Sequence, residues 1–180
     1  WVVKPLHLLD CCLETDNAGA IVVTTAERAM DLRQAPVRIL GVAGRVSSAP
    51  GTADHPRSLT QFAGHHAKDI VFPMAGVSQD DIDVTSSYDC FTWTSLMQFE
   101  AYGFCGPGEA GDYAVPETTG LGGTRPNNTS GGQLCEGYAN GVNLVIENIR
   151  QLRGAADDSC GGEHTYDYSD VKETVNLGGL

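Results

Sequence analysis

Two tyrosines stand at positions suited to moving protons. Tyr138 closes the stretch Asn128-Thr129-Ser130-Gly131-Gly132-Gln133-Leu134-Cys135-Glu136-Gly137-Tyr138. This is a glycine-rich loop feeding a helix N-terminus, and glycines let a backbone turn tightly and approach a ligand closely. A helix N-terminus has unpaired N–H groups and a partial positive charge. A phenol placed there sits where an oxyanion is stabilised. Tyr88, in Tyr88-Asp89-Cys90-Phe91, lies at a strand-to-helix junction just after Asp80-Asp81-Ile82-Asp83. A free tyrosine has a pKa of about 10, so at neutral pH it is a better acid than base. A helix N-terminus favours the phenolate and eases its use as a base. The plain reading of either ring is packing, with its hydroxyl hydrogen-bonded.

The elements that must position these rings alternate between strand and helix. Ala18 to Thr24 and Val37 to Ala43 are apolar, β-branched runs that read as strands, with a helix opened by Thr24 or Thr25 between them and ending before Pro36. Residues 44–57 read as loop. Ser58 to Ile70 reads as a helix carrying Leu59, Phe62, Ala63 and Ala67 on its apolar side. Ile82 to Ser86 reads as a short strand. Asp89 to Tyr102 reads as a helix with Phe91, Ser95, Phe99 and Tyr102 on one face. Residues 103–137 are a long glycine-rich region, expected to hold loops and one strand; a loop that long in a compact domain is usually functional. Tyr138 to Arg153 is the clearest helix: Val142, Val145, Ile146, Ile149 and Leu152 recur at helical spacing, and Gly154 stands at the usual terminating position. Residues 155–170 are polar and irregular, and Val171 to Asn176 is a last strand. This alternation implies a layered α/β fold.

Composition narrows the partners. The 180 residues make one domain by length, and the net charge of −12 argues against nucleic acid. No apolar run approaches the ~20 residues needed to cross a bilayer, and no signal-peptide pattern opens the chain. The six cysteines (11, 12, 90, 105, 135 and 160) admit a disulfide framework. Reduced thiols in a cytoplasmic protein are the better reading, since the chain is too long to need staples and no secretory feature is present. The glycosylation sequons at Asn127 and Asn128 carry no meaning in that compartment. No C-x-x-C occurs, so no zinc site is expected. His65-His66, with His55 upstream, are adjacent helix residues pointing apart, so a surface role is favoured over metal binding, and no metal is called. Asp157-Asp158 reads as a solvated turn.

An ordered set of segments carries a family resemblance. The frame Asn128-x-x-Gly131-Gly132 followed by Glu136-Gly137-Tyr138 resembles the second half of a thiolase, where N-x-x-G-G precedes G-H-P; Tyr138 stands for the His and Ala139 for the Pro. Tyr88-Asp89-x-Phe91 resembles the thiolase N-E-A-F, with Tyr88 replacing the Asn. Asn176-Leu177-Gly178 resembles the C-x-G turn, with Asn176 replacing the acid–base Cys. With Gly103-Phe104-Cys105-x-x-Gly108-Glu109 and Gln151-Leu152-Arg153-Gly154, the set is similar to the lipid-transfer-protein-like (SCP-x-type) steroid side-chain aldolases of the thiolase superfamily. It covers about residues 8–180.

The resemblance implies a C-terminal half of a thiolase-like fold, a mixed β-sheet packed between α-helices, with residues 1–180 as one such domain and a fragment of a longer chain. It implies a carbon–carbon lyase that splits a steroid-type β-hydroxyacyl-CoA by retro-aldol reaction into a short acyl-CoA and a ketone. That chemistry needs a base for the β-hydroxyl, stabilisation of the thioester enolate and a proton for the carbanion. No cofactor is expected beyond the acyl-CoA substrate. Tyr138 is assigned to the hydroxyl and Tyr88 to the enolate, with the reverse assignment open. Asp89, Asn128, Gly131 and Gly132 are supporting residues: Asp89 orients Tyr88 or caps the following helix, and Asn128 binds loop backbone or the thioester. Cys105 and Glu109 are read as a buried thiol and a surface carboxylate rather than pocket lining. A homodimer and an OB-fold/zinc-ribbon partner protein are also implied. The alternatives are a thiolase-like acyltransferase, which the loss of the His and Cys weighs against, and a non-catalytic lipid or sterol carrier.

Overall fold

A computed structural model describes residues 1–44, 63–156 and 171–177. The expectations for His55, Leu59, Phe62, Asp157-Asp158, Cys160 and Gly178 lie outside the described residues. The sheet that positions the site is small and parallel. Strand β1 (Val84–Ser86) pairs with β2 (Thr174–Asn176) in the register Val84↔Thr174, Thr85↔Val175, Ser86↔Asn176. On the other edge of β1, Thr85 makes an isolated parallel bridge to Asn127. Asn176 therefore sits beside Ser86, just upstream of Tyr88.

Helices flank this sheet. Helix α2 (Gly64–Ala75) continues past the expected end at Ile70 and through Pro73, and the left-handed Gly76 stops it, donating its N–H to the Phe72 carbonyl. His65 and His66 both lie on α2. Helix α3 (Thr92–Tyr102) begins later than expected, with Phe91 as N-cap. Its inner residues Phe99 and Tyr102 join Ala67 and Phe72 of α2, Ile82, Ala101 and Leu177 in one apolar cluster. The Phe99 ring lies 5.2 Å from that of Tyr113. Three single-turn helices punctuate the long glycine-rich region: α4 (Ala110–Tyr113), α5 (Pro116–Thr119) and α6 (Gly132–Cys135).

Two strand expectations are corrected. Among the described residues, 18–24 and 37–43 run as chain without strand pairing around a single helical turn, α1 (Ala26–Ala29), which Thr25 caps by accepting the Arg28 N–H. Val22 is 86% exposed and Ile39 64% exposed. A β-branched run states a preference for a pleated surface, but pairing needs a free sheet edge. Both edges of β1 are already taken, by β2 and Asn127.

Helix α7 (Val142–Leu152) forms as the spacing demands, and Gly154 adopts φ +58° beyond its end. Its buried face is the unexpected one. The fully buried residues are Asn143, Leu144, Glu147, Asn148 and Gln151, while Val142, Val145, Ile146, Ile149 and Leu152 are only half-buried. The polar face turns toward β1 because partners wait there. Ser86 donates its hydroxyl proton to Asn148 Oδ1 at 2.6 Å, and Thr129 and Gln151 donate to Glu147 Oε1 at 2.7 and 2.8 Å. A buried polar group so paired avoids the cost of desolvation without a partner.

The cluster around Phe99 dominates the apolar core, since that ring is 2% exposed. Phe99→Ala is expected to lower the unfolding free energy by about 3–5 kcal/mol, measured by chemical denaturation.

Candidate active site

The segment after β1 is held by two side-chain amides. Asn128 Oδ1 accepts the Ser87 N–H at 2.8 Å and its Nδ2 donates to the Ser87 carbonyl at 3.0 Å. Gln98, from α3, repeats the arrangement one residue on: Oε1 accepts the Tyr88 N–H and Nε2 donates to the Tyr88 carbonyl, both at 2.9 Å. An amide side chain carries one acceptor and two donors, so each clasp mimics a strand neighbour. Asn128 thus binds backbone, though that of Ser87 rather than of its own loop. Gln98 escaped the sequence reading, and a lone glutamine inside a helix carries no signal that could have found it.

Asp89 caps a helix, but neither the one that follows it nor Tyr88 is its target. Its carboxylate accepts the N–H groups of Gln133 at 2.9 Å and Leu134 at 3.4 Å, at the start of α6. This contact explains the glycine pair. Gly131 and Gly132 adopt φ +99° and +62°. A Cβ on Gly132 would overlap the Asp89 carboxylate and lie 2.6 Å from Asn128 Nδ2. Only glycine fits both the left-handed backbone and the space. Burial raises the Asp89 carboxyl above its ordinary value, against the pull of the Gln133 N–H.

These clamps bring the two tyrosines together. The hydroxyl oxygens of Tyr88 and Tyr138 are 2.6 Å apart, and their rings meet edge to face with centroids 6.3 Å apart. Tyr138 stands ahead of α7, whose N-cap is Gly141, so its hydroxyl meets another phenol rather than the helix N-terminus that the sequence suggested. A third residue joins them. Tyr88 donates to Asn140 Oδ1 at 2.9 Å, and Tyr138 lies 3.4 Å from the same oxygen. Asn140 also escaped the sequence reading; its only signal was an Asn-Gly pair two residues beyond Tyr138. Burial, then the contact with Tyr138, pushes the Tyr88 hydroxyl well above the ordinary phenol range. Tyr88 is therefore a neutral proton donor at physiological pH. Two phenol hydroxyls in contact can pass a proton from one oxygen to the other and present it to a bound carbonyl or carbanion.

The remaining expectations separate from this centre. Cys105 packs against the apolar cluster, and burial pushes its thiol up to about 11. Glu109 Oε2 accepts the N–H of Gly106 within its own turn. Cys11, Cys12, Cys90, Cys105 and Cys135 are free thiols. Among the described residues no three His, Cys, Asp or Glu side chains gather as metal ligands, and no helix is long and apolar enough to cross a membrane.

Residues 47–163 match the family described as "Thiolase C-terminal domain-like". The chain is 38% identical over 174 residues to the 17-hydroxy-3-oxo-4-pregnene-20-carboxyl-CoA lyase of Mycobacterium tuberculosis, covering 91% of this chain and 44% of that protein. It is 35% identical over 187 residues to the steroid side-chain-cleaving aldolase of Thermomonospora curvata, covering 99% of this chain and 45% of that one. The solved structure "Ltp2-ChsH2(DUF35) aldolase" superposes with a TM-score of 0.85 at 35% identity, over 98% of this chain and 45% of the other. The chain thus spans under half the length of the relatives it matches.

Asp89→Ala leaves the buried Gln133 N–H and the half-buried Leu134 N–H without this acceptor and is expected to cost about 1–3 kcal/mol of stability. A raised carboxyl binds its proton more tightly folded than unfolded. The stability tied to that proton is complete below the ordinary carboxylate range and is lost as pH rises through the folded value. Asp89→Asn is expected to flatten this acid-side slope, read from denaturation midpoints between about pH 4 and 7.

Proposed function

This chain belongs to the thiolase C-terminal domain-like family, and from that membership we propose that it is the C-terminal domain of a carbon–carbon lyase. The reaction is retro-aldol cleavage of a steroid-type β-hydroxyacyl-CoA to a ketone and a shorter acyl-CoA. The names and identities of the steroid-cleaving relatives support the substrate class. The observation that carries the chemistry is the 2.6 Å contact between the hydroxyls of Tyr88 and Tyr138.

The two phenols form a relay. Tyr138 takes the proton of the substrate's β-hydroxyl as it hands its own to Tyr88. The Cα–Cβ bond breaks, its electron pair passes to the thioester enolate, and the β-carbon becomes the ketone. In the same concerted step Tyr88 gives its own proton to the enolate carbon as it receives that of Tyr138, so neither phenol is left charged. The proton lost from oxygen is balanced by the one gained at carbon, and no free phenolate builds up. A strongly held proton on Tyr88 suits the second role: it stays in place until a carbanion stronger than a phenolate is there to receive it. This supports the assignment of Tyr138 to the hydroxyl and Tyr88 to the enolate. Asp89, Asn128, Gly131 and Gly132 act as supports for the two rings. The relay uses no cofactor beyond the acyl-CoA substrate.

The same reading includes a homodimer and a small partner protein of OB-fold/zinc-ribbon type. The name of the solved aldolase structure, which joins Ltp2 to a DUF35 component, supports the partner. A cytoplasmic setting, where CoA thioesters and free thiols occur together, completes it.

The test is to incubate the full-length protein and its partner with a steroid β-hydroxyacyl-CoA. A ring ketone and a short acyl-CoA are the expected products; product formation only from a keto-ester on addition of free CoA points instead to a thiolase. Tyr88→Phe and Tyr138→Phe are each expected to reduce kcat by about 10²-fold or more with KM little changed. Ligand binding without turnover, unchanged in both variants, would leave a lipid-carrier role in its place.

A further inference from the structure

The dyad is symmetric in chemistry, since each phenol has one proton to donate and lone pairs to accept. Something must decide which hydroxyl donates across the 2.6 Å contact. Asn140 supplies the asymmetry. Its Oδ1 is an acceptor only, and it lies 2.9 Å from the Tyr88 hydroxyl but 3.4 Å from that of Tyr138. Good O–H···O bonds fall within about 2.5–3.0 Å, so the Tyr88 proton goes to Asn140. With that proton spent, the contact between the rings is made by the Tyr138 proton pointing at the Tyr88 oxygen.

The backbone is bent to make this possible. Asn140 adopts φ +51° and Gly141 φ +88°, consecutive left-handed residues that turn the chain back before α7. Among residues bearing a side chain, asparagine is one of the few that enters this region readily. Non-glycine residues held there cluster at functional sites, where the surroundings must support the strain.

We propose that Asn140 is a positioning residue whose amide oxygen holds the Tyr88 proton in the resting site, so that Tyr138 donates to Tyr88 and the relay runs in one direction. The inference rests on the lyase reading above. In the resting site the lone pairs of Tyr138 are left free for the β-hydroxyl of the substrate. The proton destined for the enolate waits on Tyr88, held by a group that can accept a hydrogen bond but cannot take the proton away. Three further titratable groups bear on Tyr88: Tyr138 itself, Cys90 in its own segment and Cys12 in the N-terminal segment. Each opposes ionisation of Tyr88 when it is itself charged, so none can substitute for the neutral acceptor.

Asn140→Gly and Asn140→Asp test this in the full-length protein with its partner. Glycine keeps the left-handed turn and removes the acceptor; aspartate keeps an acceptor and adds charge. For Asn140→Gly, kcat on a steroid β-hydroxyacyl-CoA is expected to fall about 10–100-fold, the size seen when an orienting hydrogen-bond partner is lost, with KM little changed. The alkaline limb of its pH–rate profile is expected to move to lower pH, because the protonated phenol has lost its acceptor. For Asn140→Asp, kcat is expected near that of the parent and the alkaline limb at higher pH, because a carboxylate opposes a neighbouring phenolate. Parent-like kcat with an unmoved limb in Asn140→Gly overturns the proposal. So does an Asn140→Asp variant as slow as Asn140→Gly, which would make the amide N–H the working group. Should the parent cleave no such substrate, the lyase reading fails by itself. The near-ultraviolet titration of tyrosinate then decides the role of Asn140: an earlier onset in Asn140→Gly supports it, and a curve superimposable on the parent's overturns it.

Discussion

Ser87 and Tyr88 are each gripped on both backbone groups by a side-chain amide, and the rest of the site depends on that pair of clasps. Asn128 reaches Ser87 from the loop before α6, and Gln98 reaches Tyr88 from α3. β1 ends at Ser86, where β2 no longer supplies a neighbour. Without the two amides, the N–H and C=O of Ser87 and the N–H of Tyr88 would lose these partners, while the Tyr88 carbonyl would keep the Thr94 hydroxyl, and unpaired backbone groups away from water are costly. The clasps continue the ladder with side chains, which carries the segment onward in extended form and aims the Tyr88 ring. Because one clasp comes from the glycine-rich loop, the strand end and the loop bearing Tyr138 are locked to one another. Asp89, gripping the first turn of α6, makes a third tie across the same gap.

The face that α7 turns to the sheet follows from the same demand for polar partners. A helix with a clear apolar stripe usually buries that stripe. Here Asn148 meets Ser86, and Glu147, Thr129 and Gln151 form a closed triangle of hydrogen bonds. Ser86 and Thr129 are themselves buried at the strand end and the loop, so the helix must present polar groups to them. The pairing is incomplete among the described residues, since Gln151 Oε1 and Asn143 Oδ1 have no partner. A polar seam of this kind fixes the rotation and height of α7 more sharply than aliphatic contact, which is non-directional. The turn that ends in Gly141, and with it Tyr138 and Asn140, inherits that position.

The chemistry available at the dyad comes from placing two weak acids in contact rather than from activating either alone. A half-buried phenol such as Tyr88, with a second hydroxyl beside it, is a poor base and a well-held acid. That suits a reaction in which a proton leaves oxygen and another arrives at carbon. Relative to the thiolase pattern, a phenol stands in place of the imidazole at Tyr138 and in place of the amide at Tyr88, while Asn176 stands in place of the acid–base thiol.

Much of this was legible in the amino-acid sequence. Helices α3 and α7 and strands β1 and β2 follow from periodicity and β-branching, because those signals are local. The ordered set of segments, from Tyr88-Asp89-x-Phe91 through Asn128 and Tyr138 to Gln151-Leu152-Arg153-Gly154, was enough to name the family and to single out both tyrosines, since glycines at an obligatory left-handed turn and side chains at a strand end leave a mark at fixed spacing. Other features depended on what stood opposite. Residues 18–24 and 37–43 read as strands but pair with neither strand of the sheet among the described residues, and both edges of β1 are held by other segments. Asp89 capped α6, a helix far along the chain, because loop closure rather than sequence proximity brought that N-terminus to it. The burial of the polar face of α7 and the roles of Gln98 and Asn140 were decided in the same way. Hydrogen-bond partners distant in the chain are chosen only when packing sets distance and direction together, whereas apolar spacing is written along the chain itself.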